Sequence, residues 1–333
     1  MCGIAGILLT NPNLNLINRV SNITKDLVHR GPDASGFFKI KDTLLVHTRL
    51  SIVDLENGNQ PIVNNNLVLV ANGEIYNDLE IRKKYKSYNF KTKSDSESIM
   101  TLYHEKGIEG LKELRGMYAF ALFDKKKKKT ILGRDIFGIK PLFFINIKGG
   151  IIFSSEMQSL RNLNLVDNKI SNKKLLEFLE LQYCSGRGTI HKNIHRIRPG
   201  EILMVQNGRI QKSVLQKFPK KTTIKKNIDS NFIQKNISES ISVHLRSDVP
   251  YCLFFSGGID SMLIMYFMNQ ISLKKKSAYK VNIENKRTDN SILKKISNQF
   301  NIEFNEISFT EKNFWNLLPF AAKQIDEPVA DYA

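Results

Sequence analysis

Up to about residue 211, short apolar stretches alternate with turn-forming residues along the chain. Each stretch has the length of a β-strand, and Asn-Gly, Gly-Gly or lysine-rich turns separate several of them. Two segments with helical spacing of apolar residues interrupt the series, at 16–28 and 96–105. The pattern predicts an α+β domain with antiparallel sheets, with strands at 3–9, 43–50, 67–71, 117–124, 130–134, 142–147, 151–154 and 201–206.

The pattern changes after a Lys-, Thr- and Pro-containing stretch at 212–226, which we interpret as a linker. An amphipathic helix follows, because Ile233, Ile237, Ile241 and Leu245 recur every four residues. Strand and helix patterns then alternate, which is typical of a parallel, doubly wound α/β sheet. We therefore expect a first domain at 2–211 and a second at 227–333, the latter with strands at 251–255, 278–283 and 303–308 and helices at 261–269 and 290–300.

Composition excludes several classes of protein. Hydrophobic residues make up 41% of the chain and charged residues 25%, as in globular proteins that bury a core. No apolar run approaches the ~18 to 20 residues of a membrane-spanning helix, and the N-terminus lacks the features of a signal peptide. The cysteines are odd in number and far apart, which favours a reducing compartment over a disulfide framework or a zinc site, so we expect a cytoplasmic protein: Cys2, Cys184 and Cys252.

The net charge of +18 raises the question of nucleic-acid binding. The lysines are spread along the chain, however, and accompany frequent Ile and Asn. Aromatic residues do not interleave with them as on a base-stacking surface, and the lysine run at 125–129 fits a solvated turn. We therefore expect no specific nucleic-acid partner and no membrane association.

Cys2 becomes a candidate nucleophile if Met1 is removed, because the residue then carries both a thiol and an α-amine. A terminal amine has a pKa of about 7.7 to 8.0, so part of it is unprotonated at neutral pH and can act as the base. One residue would thus supply nucleophile and base.

Several motifs accompany this cysteine, and together with Met-Cys-Gly-Ile-Ala-Gly they occur in a characteristic order: 29–36, 49–54, 72–77, 94–97, 115–121 and 134–141. The set resembles the class II, or N-terminal nucleophile, glutamine amidotransferase domain of the glutamine-hydrolysing asparagine synthetase family. The resemblance covers roughly 2–206 and implies an α+β N-terminal nucleophile sandwich domain.

The resemblance also implies the roles of individual residues. Cys2 would attack the side-chain amide of glutamine, and the Asn72 side chain with the Gly73 N–H would stabilise the oxyanion. Arg49 would bind the substrate α-carboxylate, whereas Asp95 and Glu74 would meet the α-ammonium. The remaining glutamine-binding positions implied by the motif after Arg49 are Leu50, Ser51, Ile52 and Val53. The runs at 29–36 and 134–141 are assigned to the framework of the site.

A second motif follows the linker, where the apolar residues 253–255 lead directly into Ser256, Gly257 and Gly258. Two glycines allow close backbone approach, and loop N–H groups before a helix form an anion cradle. The motif resembles the pyrophosphate loop of N-type ATP pyrophosphatases, the synthetase half of the same family. The resemblance implies that Ser256, Gly257, Gly258 and Ser261 bind the phosphates of ATP, that Asp260 helps to hold Mg²⁺, and that Phe254 and Val281 line the adenine pocket. Met262 departs from the Ser or Thr usual in the family.

The sequence ends soon after Asp326-Glu327-Pro328 and Asp331, which resemble a further family motif. Sequences of this family continue through an acidic segment and a helical region. This sequence is therefore expected to be either a fragment of a longer protein or a protein with an incomplete synthetase half. The expected function is glutamine-dependent synthesis of asparagine from aspartate and ATP, through an aspartyl-adenylate. Three alternatives stay open: amidation of another carboxylate, a glutaminase alone, and a non-catalytic sensing module. A homodimer also stays open.

Overall fold

The computed structural model describes residues 1–216, 229–271, 276–284 and 290–328. The chain forms two compact units. Unit 1 comprises Met1–Lys220 and Asp326–Ala333, and unit 2 comprises Lys221–Ile325.

Unit 1 contains two six-stranded sheets whose paired strands are all antiparallel. The first sheet has the order β10-β8-β9-β1-β3-β2, and the second has the order β12-β11-β7-β6-β5-β4. The strands are β1 (Gly3–Leu9), β2 (Ala34–Lys39), β3 (Thr43–Arg49), β4 (Ile62–Asn64), β5 (Leu67–Ile75), β6 (Gly116–Asp124), β7 (Lys129–Arg134), β8 (Phe143–Ile147), β9 (Gly150–Ser154), β10 (Ile194–Arg196), β11 (Glu201–Gln206) and β12 (Arg209–Leu215).

Unit 1 also contains helices. They are α1 (Leu14–Ser21), α2 (Ile23–Leu27), α3 (Asp78–Lys84), α4 (Glu97–Gly110), α5 (Met157–Asn162) and α6 (Asn172–Leu181). Apolar residues of α1, α2 and α5 pack on the first sheet, and those of α3 and α4 pack on the second. A third apolar core lies between the sheets. This arrangement confirms the predicted α+β sandwich.

Strand β1 is buried on both faces, which explains why its sequence is a continuous apolar run and not an alternating one. Ile4 and Leu8 belong to the core between the sheets. Ala5, Ile7 and Leu9 belong to the core beneath α1 and α2. The residue that precedes this strand is Cys2, so the candidate nucleophile is attached to one of the most constrained segments of unit 1.

Unit 2 contains a parallel three-stranded sheet with the order β13-β14-β15. Its elements alternate as the sequence predicts, which confirms the parallel α/β arrangement of this part of the chain. They are α7 (Ser230–His244), β13 (Cys252–Phe254), α8 (Ile259–Ile271), β14 (Lys276–Ile283), α9 (Ser291–Gln299), β15 (Ile302–Phe309) and α10 (Glu311–Gln324).

Two segments differ from their predicted structure. The predicted helix at 16–28 is two helices, α1 and α2, separated at Asn22. The first residues of the predicted linker belong to β12, which pairs with β11 as far as Leu215. The linker from residue 217 onward lies outside the described residues, and so does Asp331. Within the described ranges, no helix is both long and apolar enough to cross a membrane.

Candidate active site

A cavity of about 300 Å³ lies in unit 1 where β1 begins. Its lining contains every residue that the sequence predicts to bind glutamine except Ser51. Ser51 lies in the loop after β3, where its N–H donates to Asp33 Oδ2 at 2.7 Å. The fold thus brings together segments that are far apart in the sequence. The predicted residues in the lining are Cys2, Arg49, Leu50, Ile52, Val53, Asn72, Gly73, Glu74 and Asp95.

The Cys2 thiol lies against the peptide group of Leu50. The Leu50 N–H donates to Cys2 Sγ at 3.4 Å, and the thiol can donate to the Leu50 carbonyl at 3.7 Å. Burial raises the pKa of the thiol, and the Leu50 N–H, the N-terminal ammonium group, Arg49 and Lys140 oppose that rise. Burial also lowers the pKa of the N-terminal amine, which belongs to Met1 in this chain. A thiol with a raised pKa needs a base, and an amine with a lowered pKa is a better-populated base at neutral pH.

The backbone of Cys2 is held by Arg30, which the sequence assigned only to the framework. Arg30 Nε donates to the Cys2 carbonyl at 3.0 Å, and its Nη1 donates to Glu156 Oε1 at 2.9 Å. His29 Nε2 lies 2.8 Å from the same carboxylate oxygen. Because Arg30 and Glu156 are 126 positions apart, no local pattern could reveal that this ion pair holds the backbone of the candidate nucleophile.

Asn72 and Gly73, on β5, line the same cavity as Cys2. The Asn72 side chain is 1% exposed, and its Nδ2 has no hydrogen-bond acceptor among the described residues. A buried donor without an acceptor costs about 1–3 kcal/mol, so this amide group gains free energy when an oxygen enters the cavity. At Gly73, a Cβ would lie 2.1 Å from the Met117 carbonyl oxygen of β6, so this position accepts only glycine.

His47 supports the same part of β5 from the opposite sheet. It is fully buried, and its Nε2 lies 3.1 Å from the Ala71 carbonyl, one residue before Asn72. Burial lowers the pKa of His47 to about 4, so the ring is neutral at pH 7. The neutral ring donates from Nε2 and so links β3 to β5 next to Asn72, whose Nδ2 has no acceptor.

Arg49, at the end of β3, holds the loop at 50–59. Its Nη1 donates to Leu55 O at 3.3 Å and to Asn59 Oδ1 at 2.8 Å. Its Nη2 donates to Val53 O at 3.2 Å and to Asp54 O at 2.6 Å. Four donor contacts from a side chain that is 5% exposed make Arg49 the organiser of this loop. Binding of a substrate carboxylate stays a prediction for it.

The charges of the cavity have both signs. Asp95 is buried, and its Oδ2 accepts the Ile75 N–H at 2.5 Å. Glu74 and Asp95 supply negative charge, and Arg49 and Lys140 supply positive charge. This arrangement complements a zwitterion such as a free α-amino acid.

Lys140 is the charged cavity residue that the sequence did not single out. Burial lowers the pKa of its ammonium group, and Glu74 opposes that effect. The side chain reaches the cavity because the 134–141 loop is tightly held: Arg134 donates to Lys140 O at 2.8 Å, and Asp135 Oδ2 accepts the Lys140 N–H at 3.0 Å. The framework role predicted for this run thus includes the presentation of a cation. The other unpredicted lining residues are Met1, Gly58, Gln60, Ala71, Ser94, Ser96 and Met117.

The glycine loop of unit 2 connects β13 to α8. Gly257 has φ +86°, and a Cβ there would lie 2.8 Å from the Leu293 side chain. Ser256 Oγ accepts the Gly258 N–H at 3.2 Å, and the Ser261 hydroxyl donates to Gly258 O at 3.0 Å. The loop therefore lies at the carboxyl end of a parallel strand, before a helix N-terminus, where α/β sheets bind phosphates.

The other residues predicted for ATP lie around that loop. Asp260 is in the first turn of α8 and is exposed. Phe254 ends β13 and is 81% exposed, and Val281 lies on the adjacent β14 and is 49% exposed. Parallel pairing of β13 with β14 places both apolar side chains at neighbouring strands.

Comparisons with known proteins identify both parts of the chain. A family model described as a glutamine amidotransferase domain matches residues 1–218, and one described as asparagine synthase matches residues 233–333. A putative asparagine synthetase (glutamine-hydrolyzing) 2 from Methanocaldococcus jannaschii is 30% identical over 362 residues, which cover 100% of this chain and 70% of the relative. The chain belongs to the asparagine synthetase family.

Other members of the asparagine synthetase family are considerably longer than this chain. Asparagine synthetase (glutamine-hydrolyzing) 1 from Bacillus subtilis is 30% identical over 345 residues, which are 100% of this chain but 54% of the relative. Asparagine synthetase B (glutamine-hydrolyzing) from Escherichia coli is 35% identical over 270 residues, which cover 79% of this chain and 44% of the relative. The chain thus spans about half the length of the B. subtilis protein.

Among solved structures, a glutamine phosphoribosylpyrophosphate amidotransferase from B. subtilis covers 91% of this chain and 65% of its own, with a TM-score of 0.46 and 16% identity. The assignment to the asparagine synthetase family rests on the sequence matches. The interval between the two family models, from 218 to 233, contains the division between units 1 and 2 at Lys220.

Proposed function

We propose that unit 1 hydrolyses glutamine at Cys2 and that unit 2 binds ATP for the amidation of aspartate. The observation that carries the first part is the buried, acceptor-free Nδ2 of Asn72 in the same cavity as the Cys2 thiol. Family membership supports the second part, because the relatives carry the name asparagine synthetase.

The proposed glutaminase reaction uses groups of unit 1 only. With Met1 removed, the α-amine of Cys2 accepts the thiol proton as Sγ attacks the side-chain amide carbon of glutamine. The resulting oxyanion accepts hydrogen bonds from Asn72 Nδ2 and the Gly73 N–H. The C–N bond then breaks, the amine returns its proton to the leaving nitrogen, and ammonia departs from a thioester. Water hydrolyses the thioester, so one glutamine and one water give glutamate and ammonia.

The charges of the cavity select an α-amino acid. Arg49 would bind the α-carboxylate of glutamine, and Asp95 with Glu74 would bind its α-ammonium. The loop residues Leu50, Ser51, Ile52 and Val53 would enclose the substrate, because Arg49 already fixes the loop that carries them.

In unit 2, Ser256, Gly257, Gly258 and Ser261 would bind the phosphates of ATP, and Phe254 with Val281 would contact the adenine. The donor chemistry at Asp260 fits Mg²⁺, which is usually held by one or two carboxylates together with substrate phosphates. No cluster of three or more potential metal ligands occurs within the described ranges. Bound Mg²⁺ would neutralise phosphate charge. In the acceptor reaction, a carboxylate oxygen of aspartate displaces pyrophosphate from ATP, and ammonia then displaces AMP to give asparagine.

Labelling of Cys2 tests the glutaminase. We expect the diazoketone analogue of glutamine to alkylate Cys2, glutamine to protect it, and mass spectrometry to locate the label. Cys2→Ala should abolish both labelling and glutamate formation, while the matched variant Cys252→Ala, which changes an exposed cysteine of unit 2, should keep both. Glutamine hydrolysis by Cys2→Ala would refute the proposal, and an intact-mass measurement on the active protein should show the loss of Met1.

The location and assembly of the protein are part of the same proposal. The free cysteines fit a reducing, cytoplasmic environment. Sedimentation velocity on the labelled preparation would distinguish a monomer from the homodimer considered from the sequence.

A further inference from the structure

A second cavity of unit 1 lies where β1 ends, away from Cys2. Its volume is about 470 Å³, larger than the cavity at Cys2. Leu8 is six positions after Cys2, so at ~3.3 Å per residue the two cavities lie on the order of 20 Å apart along the strand. We call it the distal cavity, and it is lined by Leu8, Leu9, Ile40, Lys41, Asp42, Thr43, Phe123, Lys125, Lys128, Thr130, Val205, Gln206, Asn207 and Gly208.

The inner wall of the distal cavity is part of the apolar core between the two sheets. Leu8, Phe123 and Val205 all belong to that core, and each is at most 4% exposed. They come from β1 in the first sheet and from β6 and β11 in the second. The cavity therefore opens at the edge of this core, and Ile40, which is 37% exposed, adds exposed apolar surface to its lining. An apolar group that enters would cover Ile40 and displace water.

The rim of the distal cavity is cationic. Lys41 lies in the β2–β3 turn, and Lys125 and Lys128 lie in the β6–β7 turn. None of the three forms an ion pair with another residue in the described part of the chain. Asp42 is the single carboxylate of the lining, and its Oδ1 accepts the Thr43 hydroxyl at 3.1 Å. The rim therefore has an excess of positive charge next to an apolar wall.

We propose that the distal cavity binds an unbranched, medium-chain carboxylate, with the tail against Leu8, Phe123 and Val205 and the head group among the three lysines. A volume of about 470 Å³ falls within the ~300–1,000 Å³ of small-molecule sites. The apolar wall favours an alkyl chain, and the lysine ammonium groups of the rim favour an anionic head group. Together they favour a ligand that carries both. This site is independent of the glutaminase and needs no residue of the Cys2 cavity.

Titration calorimetry with a series of fatty acids tests the apolar wall. The full chain is titrated with hexanoate, octanoate and decanoate, each below its micelle concentration. Burial of one methylene is worth about 0.8 kcal/mol, or roughly fourfold in affinity. Each acid should therefore bind saturably, and the affinity should rise steeply with tail length. Absence of saturable binding, or an affinity independent of tail length, overturns the proposal.

Charge variants test the rim. Lys41→Glu, Lys125→Glu and Lys128→Glu combined should weaken decanoate binding at least tenfold. The matched control combines Lys83→Glu, Lys86→Glu and Lys173→Glu, which change three exposed lysines of unit 1 outside the lining, and it should bind as the unmodified chain does. Equal weakening by both sets would indicate a non-specific effect of net charge and would refute the site.

Two further measurements locate the ligand. Decyltrimethylammonium has a cationic head on the same tail and should bind at least tenfold more weakly than decanoate, whereas equal binding refutes the role of the lysines. Saturating glutamine should leave the decanoate affinity unchanged. Competition between the two would place decanoate in the Cys2 cavity and would also overturn the assignment.

Discussion

Asn72 has the strongest individual link to the proposed chemistry, because its buried Nδ2 lacks an acceptor in the described structure. We expect Asn72→Ala to lower kcat for glutamine hydrolysis by about 10²–10³-fold, the usual loss for one oxyanion donor. KM should change little, since the donor acts on the transition state. Steady-state kinetics checks this split, and a variant with normal kcat would leave Asn72 as a structural residue only.

His47 makes the folding stability of the protein depend on pH. Its folded-state pKa is about 4, below the ordinary value of 6.5, so the unfolded chain takes up a proton before the folded chain does. Stability therefore falls as the pH drops from about 6.5 towards 4, by roughly 3 kcal/mol from this residue. In the non-titrating variant His47→Gln, this part of the pH dependence should vanish. Denaturant unfolding at pH 7 and pH 4.5 measures the change in the free energy of unfolding. The same change in the unmodified protein and in His47→Gln would contradict the prediction.

At the scale of elements, Arg49 and the loop it holds act together. Arg49→Ala removes four donor contacts to the loop. On the proposed role of Arg49 it would also leave a substrate carboxylate unpaired, which costs about 2 to 5 kcal/mol. We expect a higher KM for glutamine and faster hydrogen exchange at 50–59. Arg49→Lys keeps the charge but cannot form the fork, so it should restore little of either. Unchanged KM and unchanged exchange in Arg49→Ala would refute both roles.

The elements also show what sequence patterns can predict. Strands β1 and β6 were predicted because each is apolar over most of its length. The sequence predicts linker at 212–215, the second part of β12, because an edge strand is stabilised by one neighbour and keeps most side chains in solvent. Helix α6 has Leu175 and Phe178 at helical spacing, but none of its residues is buried.

The site divides in the same way. Residues in contiguous motifs, such as Asn72 and Gly73, could be named from the sequence. The contact of Arg30 with the Cys2 carbonyl and the approach of Lys140 to the cavity depend on how loops fold over distant strands. Contacts between residues so far apart in the sequence produce no periodic pattern of apolar and polar residues.

At the scale of the whole molecule, the two units differ in how well they are packed. The unit 2 core is one small cluster, and its three-stranded sheet has β13 and β15 as edges within the described residues. Large apolar side chains of unit 2 are exposed, including Phe254, Ile259 and Trp315. Exposed apolar surface and free strand edges both reduce stability and favour association.

We therefore expect unit 2 to unfold before unit 1. Calorimetry should show two transitions, and ATP should raise only the lower one. Gly257→Ala should abolish that ATP-induced shift, because its Cβ would meet Leu293, and should leave glutaminase activity intact.

Limited proteolysis should remove unit 2 and retain a fragment from the N-terminus through Leu215. A single transition, or a resistant unit 2, would contradict this order of stability.

The attachment of Cys2 to β1 has a practical consequence for protein production. Strand β1 is buried along its whole length, and Arg30 donates to the carbonyl of Cys2, so an upstream fusion would begin at Met1, which lines the Cys2 cavity. Any affinity tag encoded before Cys2 would also keep its amine acylated. Expression vectors should therefore encode purification tags at the C-terminal end of the expressed polypeptide, or use a cleavable leader whose removal leaves Cys2 as the first residue.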